Sequence, residues 1–491
     1  GSFPLTMTNL IPNSPPSEAS FESKTPLSCC MRMYRTTLPF CFIAVFMTAL
    51  SPGVMAQWYA IPPESKDASW LEGEQMRAQA RENVADARAV SYDHAFLSVV
   101  LDGAPAEWDA AQQSGTRLDN STCRLTLPLV AQNEQRWEAH PFRAVRSDIM
   151  APALTAKYPE IRSYMVQSER NSLIFGRIDM SPRGFHGIIH TPGGTVYIDP
   201  WNVGQFDQLM VYTRAEFMSA TQKRRGDCDV RQMGMGKGTD VDGPGRLDDG
   251  KITQRVGPPY GPTRRNYSLA LACTGEYGQF HGGTVSSVLS AMNTSINRIN
   301  SIVEPEMAIR LTLIPDNDDL IFLNGSTDPY TNSNGGAMLS QNQNTIDNII
   351  GFNGYDIGHV FSTGGGGVAY LASVCTSFKA GGVTGLPAPI GDPFDVDYVG
   401  HEMGHQFGCN HTFNNSCSGN RASSAAYEPG SGSTIMSYSG ICAPNLQNNS
   451  DDVYHVHSLI EGTNYLHDGF GNSCATQVSS GNSAPTVSVG G

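Results

Sequence analysis

His401-Glu402-Met403-Gly404-His405-Gln406-Phe407-Gly408-Cys409-Asn410-His411 is the stretch from which the fold can be read. His401 and His405 lie four apart, so on a helix they project from one face, one turn above the other. Two imidazole nitrogens at that spacing can grip one zinc ion. Glu402 sits beside them, where it can take a proton from a zinc-bound water. Gly408 can end the helix with a left-handed turn that a side chain would oppose. The chain then bends back and offers His411 as a third ligand. Three protein ligands leave the fourth position open, the mark of a catalytic rather than a structural zinc site. Histidine is scarce, 12 in 491 residues. A chance match to three His, one Glu and one Gly at these spacings is about one in 10⁴ to 10⁵ for the chain, using its own composition. Thr434-Ile435-Met436-Ser437-Tyr438 follows as a distant companion. A helix with satisfied surface histidines would not need it.

A chain of 491 residues implies two or three domains. The formal net charge of −14 gives a nucleic-acid role no electrostatic support. Residues 31–56 read as a signal peptide: Met31, Arg32 and Arg35 form a basic start, and Leu38 to Leu50 is mostly apolar. Val54-Met55-Ala56 then gives small-x-small before Gln57. That apolar run is too short to span a bilayer comfortably, so no stable membrane span is expected. Residues 1–30 are polar and rich in Pro and Ser, and read as a disordered extension. Translation is expected to begin at Met31 or Met33. The protein is expected to be secreted, extracellular and monomeric.

Export makes the cysteines candidates for disulfides. Eleven are present, six of them from residue 264 on, and six allow fifteen pairings. The favoured pairs are Cys417–Cys442, bracing the loop between His411 and Met436, and Cys375–Cys474. Cys409 lies within reach of the metal, but three histidines already complete the protein ligand set. It is therefore read as packed or disulfide-bonded.

Residues 57–225 mix helix and strand. Glu72–Ala89 has an amphipathic helical pattern. Gly184–Ile189 and Thr195–Pro200 flank a turn at Pro192-Gly193-Gly194, a hairpin signal. No catalytic constellation occurs there, so the segment reads as an α+β propeptide-like domain. Lys223-Arg224-Arg225 offers a dibasic cut site, and residues 226–263 form a linker or activation segment. Asp240-Val241-Asp242-Gly243 and Asp248-Asp249-Gly250 hint at structural Ca²⁺, but the twelfth-position Glu of an EF-hand is missing and a solvated linker is favoured. Cys228, with Asp227 as substitute, is a candidate latency ligand for the open zinc position. A disulfide between Cys228 and Cys123 is the alternative.

The catalytic domain is read over residues 264–475. Strands are expected at Tyr267–Ala272, Met307–Ile314 and Tyr355–Phe361, and helices at Gly283–Val303 and Ala337–Ile350. This alternation predicts a mixed, mainly parallel sheet covered by helices. Gly364 to Gly367 precede an apolar strand. Gly367, Val368, Ala369 and Tyr370 could form an exposed edge to which a peptide substrate adds as a strand. A plain hairpin turn into a core strand reads equally well. Asp395 can cap the active-site helix, and Asp451–Tyr465 reads as a closing helix. Residues 476–491 read as a linker tail, after which a further module is expected.

The chain resembles a metzincin zinc endopeptidase, and more closely the bacterial reprolysin-like (adamalysin-related) branch. His401, Glu402, His405, Gly408, His411 and Met436 carry the resemblance. Tyr427 to Met436 and Gly367 to Cys375 support it, and Gly194 to Pro200 looks like a reprolysin propeptide segment. The resemblance covers about residues 264–475, with weaker similarity over 57–225. It implies an α/β (α+β) catalytic domain of two lobes: a twisted, mainly parallel sheet with an active-site helix, then a smaller C-terminal subdomain. It implies one catalytic Zn²⁺ on His401, His405 and His411, Glu402 as general base, and Met436 in a tight turn beneath the metal. Protein or peptide substrates follow. Thr412 departs from the Asp usual after the third histidine in reprolysins, and His411-Thr412-Phe413 looks more like the pappalysin branch. Tyr438, two residues after Met436, resembles the tyrosine of astacin- and serralysin-type metzincins. It is either a transition-state donor (or fifth ligand) or a packed pocket wall. A narrow-specificity processing protease and a catalytically silent zinc-containing adhesion or scaffold module are the alternative functions.

Overall fold

Short runs rich in Val, Ile, Tyr and Thr, separated by turn residues, build the first half of the fold. The structure is a computed structural model that describes residues 58–60, 88–109, 112–130, 137–204, 206–216, 229–231, 261–364 and 366–482. The signal peptide and its extension, Asp227, Cys228, the Asp240–Gly250 stretch and most of the Glu72–Ala89 helix lie outside these residues. Arg88 and Ala89, expected to end that helix, belong instead to a strand. Nine strands form an antiparallel sheet: β1 Trp58–Ala60, β2 Arg88–Tyr92, β3 Arg124–Val130, β4 Trp137–Arg146, β5 Arg162–Ser168, β6 Phe175–Ser181, β7 Gly184–Thr191, β8 Gly194–Pro200 and β9 Gln208–Thr213. Their order is β1-β2-β9-β8-β7-β6-β5-β4-β3. The hairpin around Pro192-Gly193 forms as the sequence predicts.

The second sheet holds β10 Asp229–Arg231, β11 Thr263–Cys273, β12 Ile309–Leu313, β13 Ile357–Ser362, β14 Gly366–Tyr370, β15 Gly382–Gly385 and β16 Thr476–Ser479. Its order is β10-β14-β15-β13-β11-β12, with β16 antiparallel on β11. It is mixed and mainly parallel, as expected, with β14 antiparallel to β15. The expected linker tail needs correction at its start: Thr476–Ser479 pairs with Thr263–Asn266, because the lower half of β11 extends past β13 and leaves backbone groups to satisfy.

The helix Val285–Met307 makes the crossover from β11 to its parallel neighbour β12. Thr284 caps it by accepting from Ser287 N–H at 3.3 Å, and Ala308 ends it with φ of 53°. Val288, Leu289, Met292, Ile296, Ile299 and Val303 pack into the sheet's core. The opposite, polar face is buried too. Thr294 donates to Asp179 at 2.9 Å, Ser163 donates to Asn293 at 3.1 Å, and Arg177 donates to Asn297 at 2.7 Å. The nine-stranded sheet lies over this face.

Near the end of the same helix, burial pushes the Glu306 carboxyl up to about 7, and the Tyr454 N–H at 2.9 Å offsets this only in part. Its folded pKa lies above the unfolded value. Stability is therefore fully present below about pH 4.5 and is lost as pH rises through 7. Glu306→Gln is expected to raise the melting temperature at pH 8 by roughly 2–4 °C and leave it unchanged at pH 4. Thermal scans at the two pH values check this.

Candidate metal centre

A helical stretch from Asp392 to Gln406 carries the first two histidines. It begins with an α turn, widens to a π turn over Asp395–Gly400, and tightens again over His401–Gln406. Asp395 was expected to cap this helix. It lies inside it instead, where its carboxylate accepts from Ser295 Oγ at 2.5 Å and Arg298 Nη1 at 2.9 Å. Asp392 starts the helix and Gly391 precedes it without a side-chain cap. Tyr454 donates to Gly400 O at 2.7 Å and fixes the backbone just ahead of His401.

Gly408 ends the helix with φ of 98°, and Cys409 N–H donates back to Gly404 O at 2.9 Å. That reversal brings His411 to the other two histidines. His405 Nε2 lies 3.1 Å from His401 Nε2 and 3.1 Å from His411 Nε2. Each ring is held from behind. His401 Nδ1 contacts Ile435 O at 2.7 Å, His405 Nδ1 contacts Cys409 O at 2.8 Å, and His411 Nδ1 contacts Asn420 O at 2.7 Å. A carbonyl accepts only, so each Nδ1 carries the proton and each Nε2 turns a lone pair inward. Burial lowers the pKa of His405, with His411 and His401 adding to the effect, and burial lowers His411 to about 4.

This donor set fits a metal. Two nitrogens about 2.0–2.1 Å from one tetrahedral zinc lie roughly 3.3 Å apart, close to the observed separation. Lone pairs that face one another repel, and a cation between them turns the repulsion into bonding. Among the described residues this trio is the group of ligand atoms gathered closely enough to hold a metal ion.

Glu402 is fully buried beside the trio. Gly367 on β14 lies directly against it: a Cβ there would fall 2.1 Å from Glu402 Oε1. Gly367, Val368 and Ala369 are buried and Tyr370 is half-buried. The edge expected to be open is paired, since β10 runs parallel to β14 with Asp229 opposite Val368 and Arg231 opposite Tyr370. Met436 is fully buried under the helix, and a Cβ at Gly404 would come 2.4 Å from its Sδ. The Tyr438 ring lies edge-on to His411 with centroids 4.7 Å apart, and tilted against Phe413 at 4.3 Å.

The family comparison falls on the same region. Residues 263–465 match the family model for metallopeptidase family M12B, reprolysin-like. This region is a reprolysin-like metallopeptidase domain. Peptidases of this family use zinc and act on protein or peptide substrates. No curated protein matches the chain. Among solved structures, metalloproteinase-II from Bacteroides fragilis is similar at 10% identity and a TM-score of 0.37, covering 70% of this chain and 91% of that one.

The reprolysin-like domain also contains a residue the sequence did not single out. Glu428 accepts from Thr434 Oγ1 at 2.7 Å, Ser433 N at 2.8 Å and Thr434 N at 3.0 Å, and from the Thr412 hydroxyl. Burial would raise its pKa, but these donors bring it below the usual carboxylate range. It thus ties the residue after the third histidine to the turn that carries Met436. A lone Glu in a Gly/Ser-rich loop gives no spacing signal. Both favoured disulfides form, Cys375–Cys474 and Cys417–Cys442. Cys409 is a buried thiol that donates to Ser458 O at 3.3 Å, and Cys123 is a buried free thiol.

Proposed function

We propose that the chain is a secreted zinc endopeptidase made as a zymogen, with His401, His405 and His411 as ligands and Glu402 as general base. The observation that carries this reading is the convergence of three carbonyl-anchored imidazoles beside a buried carboxylate, with Gly367 of β14 packed directly against that carboxylate. A zinc ion held there supplies Lewis acidity toward the scissile carbonyl and acidifies a water. The three histidines hold their ring planes through the carbonyls of Ile435, Cys409 and Asn420. Glu402 takes the proton of the attacking water and passes it to the leaving amine. The edge of β14 binds the peptide backbone by strand addition, which places the cut bond next to Glu402. Tyr438 donates its phenol to the developing oxyanion.

Latency follows from β10. The chain's own strand takes the backbone groups of β14 that a substrate would need. Cys228, one residue before β10 in the sequence, and Asp227 remain the candidates for the latency ligand.

Zinc content by elemental analysis, together with casein cleavage before and after chelation, tests the reading. One zinc per chain and chelator-sensitive cleavage are expected after processing. Zinc without cleavage of casein or of a peptide library would favour the silent scaffold. For Tyr438→Phe, kcat is expected to fall roughly tenfold to a hundredfold with KM and zinc content kept. An unchanged kcat would make Tyr438 a pocket wall.

A further inference from the structure

The amino-terminal sheet is built into the reprolysin-like domain. Between β4 and β5 the chain leaves its own sheet and runs beside β12. Leu313 N–H donates to Ile149 O at 2.7 Å, and Ala151 N–H donates to Leu313 O at 2.9 Å. Taken away, this segment would leave β12 as an edge with open backbone groups. Ile149, Met150, Leu154 and Ile161 are between 0% and 3% exposed, and they share one apolar cluster with Leu289, Leu311 and Leu313. They are core side chains of the peptidase half supplied from the other half.

The second contact is ionic and meets the active-site helix at its start. Asp392, Asp397 and Asp452 all belong to the reprolysin-like domain. Arg214 reaches into them from just after β9, 3.5 Å from Asp392 and 3.8 Å from Asp397, and pairs with Asp452. The Tyr197 hydroxyl on β8 shares its proton between Asp392 at 2.6 Å and Asp452 at 2.9 Å. Arg298 of the long helix is clamped between Asp199 on β8 at 2.5 Å and Asp395 at 2.9 Å. Losing one side of such buried pairs leaves carboxylates close together with their cation gone, which is strongly unfavourable.

We propose that residues 58–216 stay docked after the chain is cut on both sides of β10, between Glu216 and Asp229 and again between Arg231 and Thr263, so that the mature peptidase is a two-fragment complex. Only the β10 strap leaves, and its departure frees β14. The setting rests on the zymogen reading above, but the docking itself does not.

Limited trypsin digestion of the full chain tests it, since Lys223, Arg225, Arg246 and Arg255 offer cut sites between the two halves. Two large fragments should appear on a denaturing gel. They should co-elute from a sizing column at the size of the uncut chain, even in about 1 M NaCl, which screens exposed ion pairs but not buried ones. The co-eluting complex should carry the peptidase activity. Leu154→Ala is expected to speed separation of the nicked fragments by roughly thirtyfold or more, while Leu154→Met keeps them together. Separate elution of the wild-type fragments, or cleavage confined to a smaller peak holding the carboxy-terminal fragment alone, would overturn the proposal. A stable complex that holds metal yet cleaves nothing would leave the docking intact and remove the peptidase reading.

Discussion

Glu402→Ala is expected to keep its metal and lose cleavage, with kcat down roughly 10²–10⁴-fold. The carboxylate is fully buried and is not one of the three converging nitrogens. Its removal leaves every Nδ1–carbonyl contact in place, so the ligand set should persist. What disappears is the group that moves the proton. Elemental analysis and single-turnover cleavage on the processed variant separate the two effects. A variant that cleaves at the wild-type rate would falsify the assignment of the base. One that loses zinc would show that Glu402 supports the ligands.

Gly367→Ala is expected to be nearly as damaging, from a residue with no chemistry of its own. Its added Cβ would lie 2.1 Å from Glu402 Oε1, 2.4 Å from Cδ and 2.5 Å from Cγ. Contacts that short cannot persist. β14 is hydrogen-bonded to β15 along Gly366–Ala369, so the strand resists moving. The carboxylate must therefore swing away from the metal centre. A fall in kcat of roughly 10²-fold is expected, since a misplaced base loses most of its contribution. Zinc content should stay at one per chain and the melting temperature should drop only modestly. Full activity in Gly367→Ala would mean that Glu402 functions from another position.

These two residues show how unevenly the site could be read. Glu402 and the histidines lie within eleven residues, at spacings set by one helix and one left-handed glycine, so local geometry nearly fixes their meeting. Gly367 was legible as part of a strand edge, but its reason for being glycine was not. That reason is a carboxylate 35 positions further along the chain, reached through sheet packing. Glu428 was invisible for the same cause, because its partners Thr412 and Thr434 are brought to it by the loop fold. Asp395 was misread as a cap. Its true partners, Ser295 and Arg298, come from the long helix nearly a hundred residues earlier.

The long helix shows where periodicity stops informing. Val288, Leu289, Met292, Ile296, Ile299 and Val303 announce one buried face at helical spacing. The row of Asn293, Thr294, Asn297 and Arg298 looks like a solvated face. It is buried against Ser163, Asp179, Arg177 and Asp199 of the nine-stranded sheet. Hydropathy registers whether a side chain prefers water, not whether another segment brings matching donors and acceptors.

The sequence by itself determined the helix–glycine–histidine signature, the mainly parallel character of the second sheet and the β7–β8 hairpin. Each follows from residue types at short or regular spacing. Only the tertiary structure decided that β10 lies on β14, that Gly367 faces Glu402, and that Ile149 and Leu154 enter the peptidase core. Those contacts join segments far apart in the chain, and their energies come from shape, shared backbone hydrogen bonds and desolvated charge. None of these leaves a pattern along a single strand of sequence.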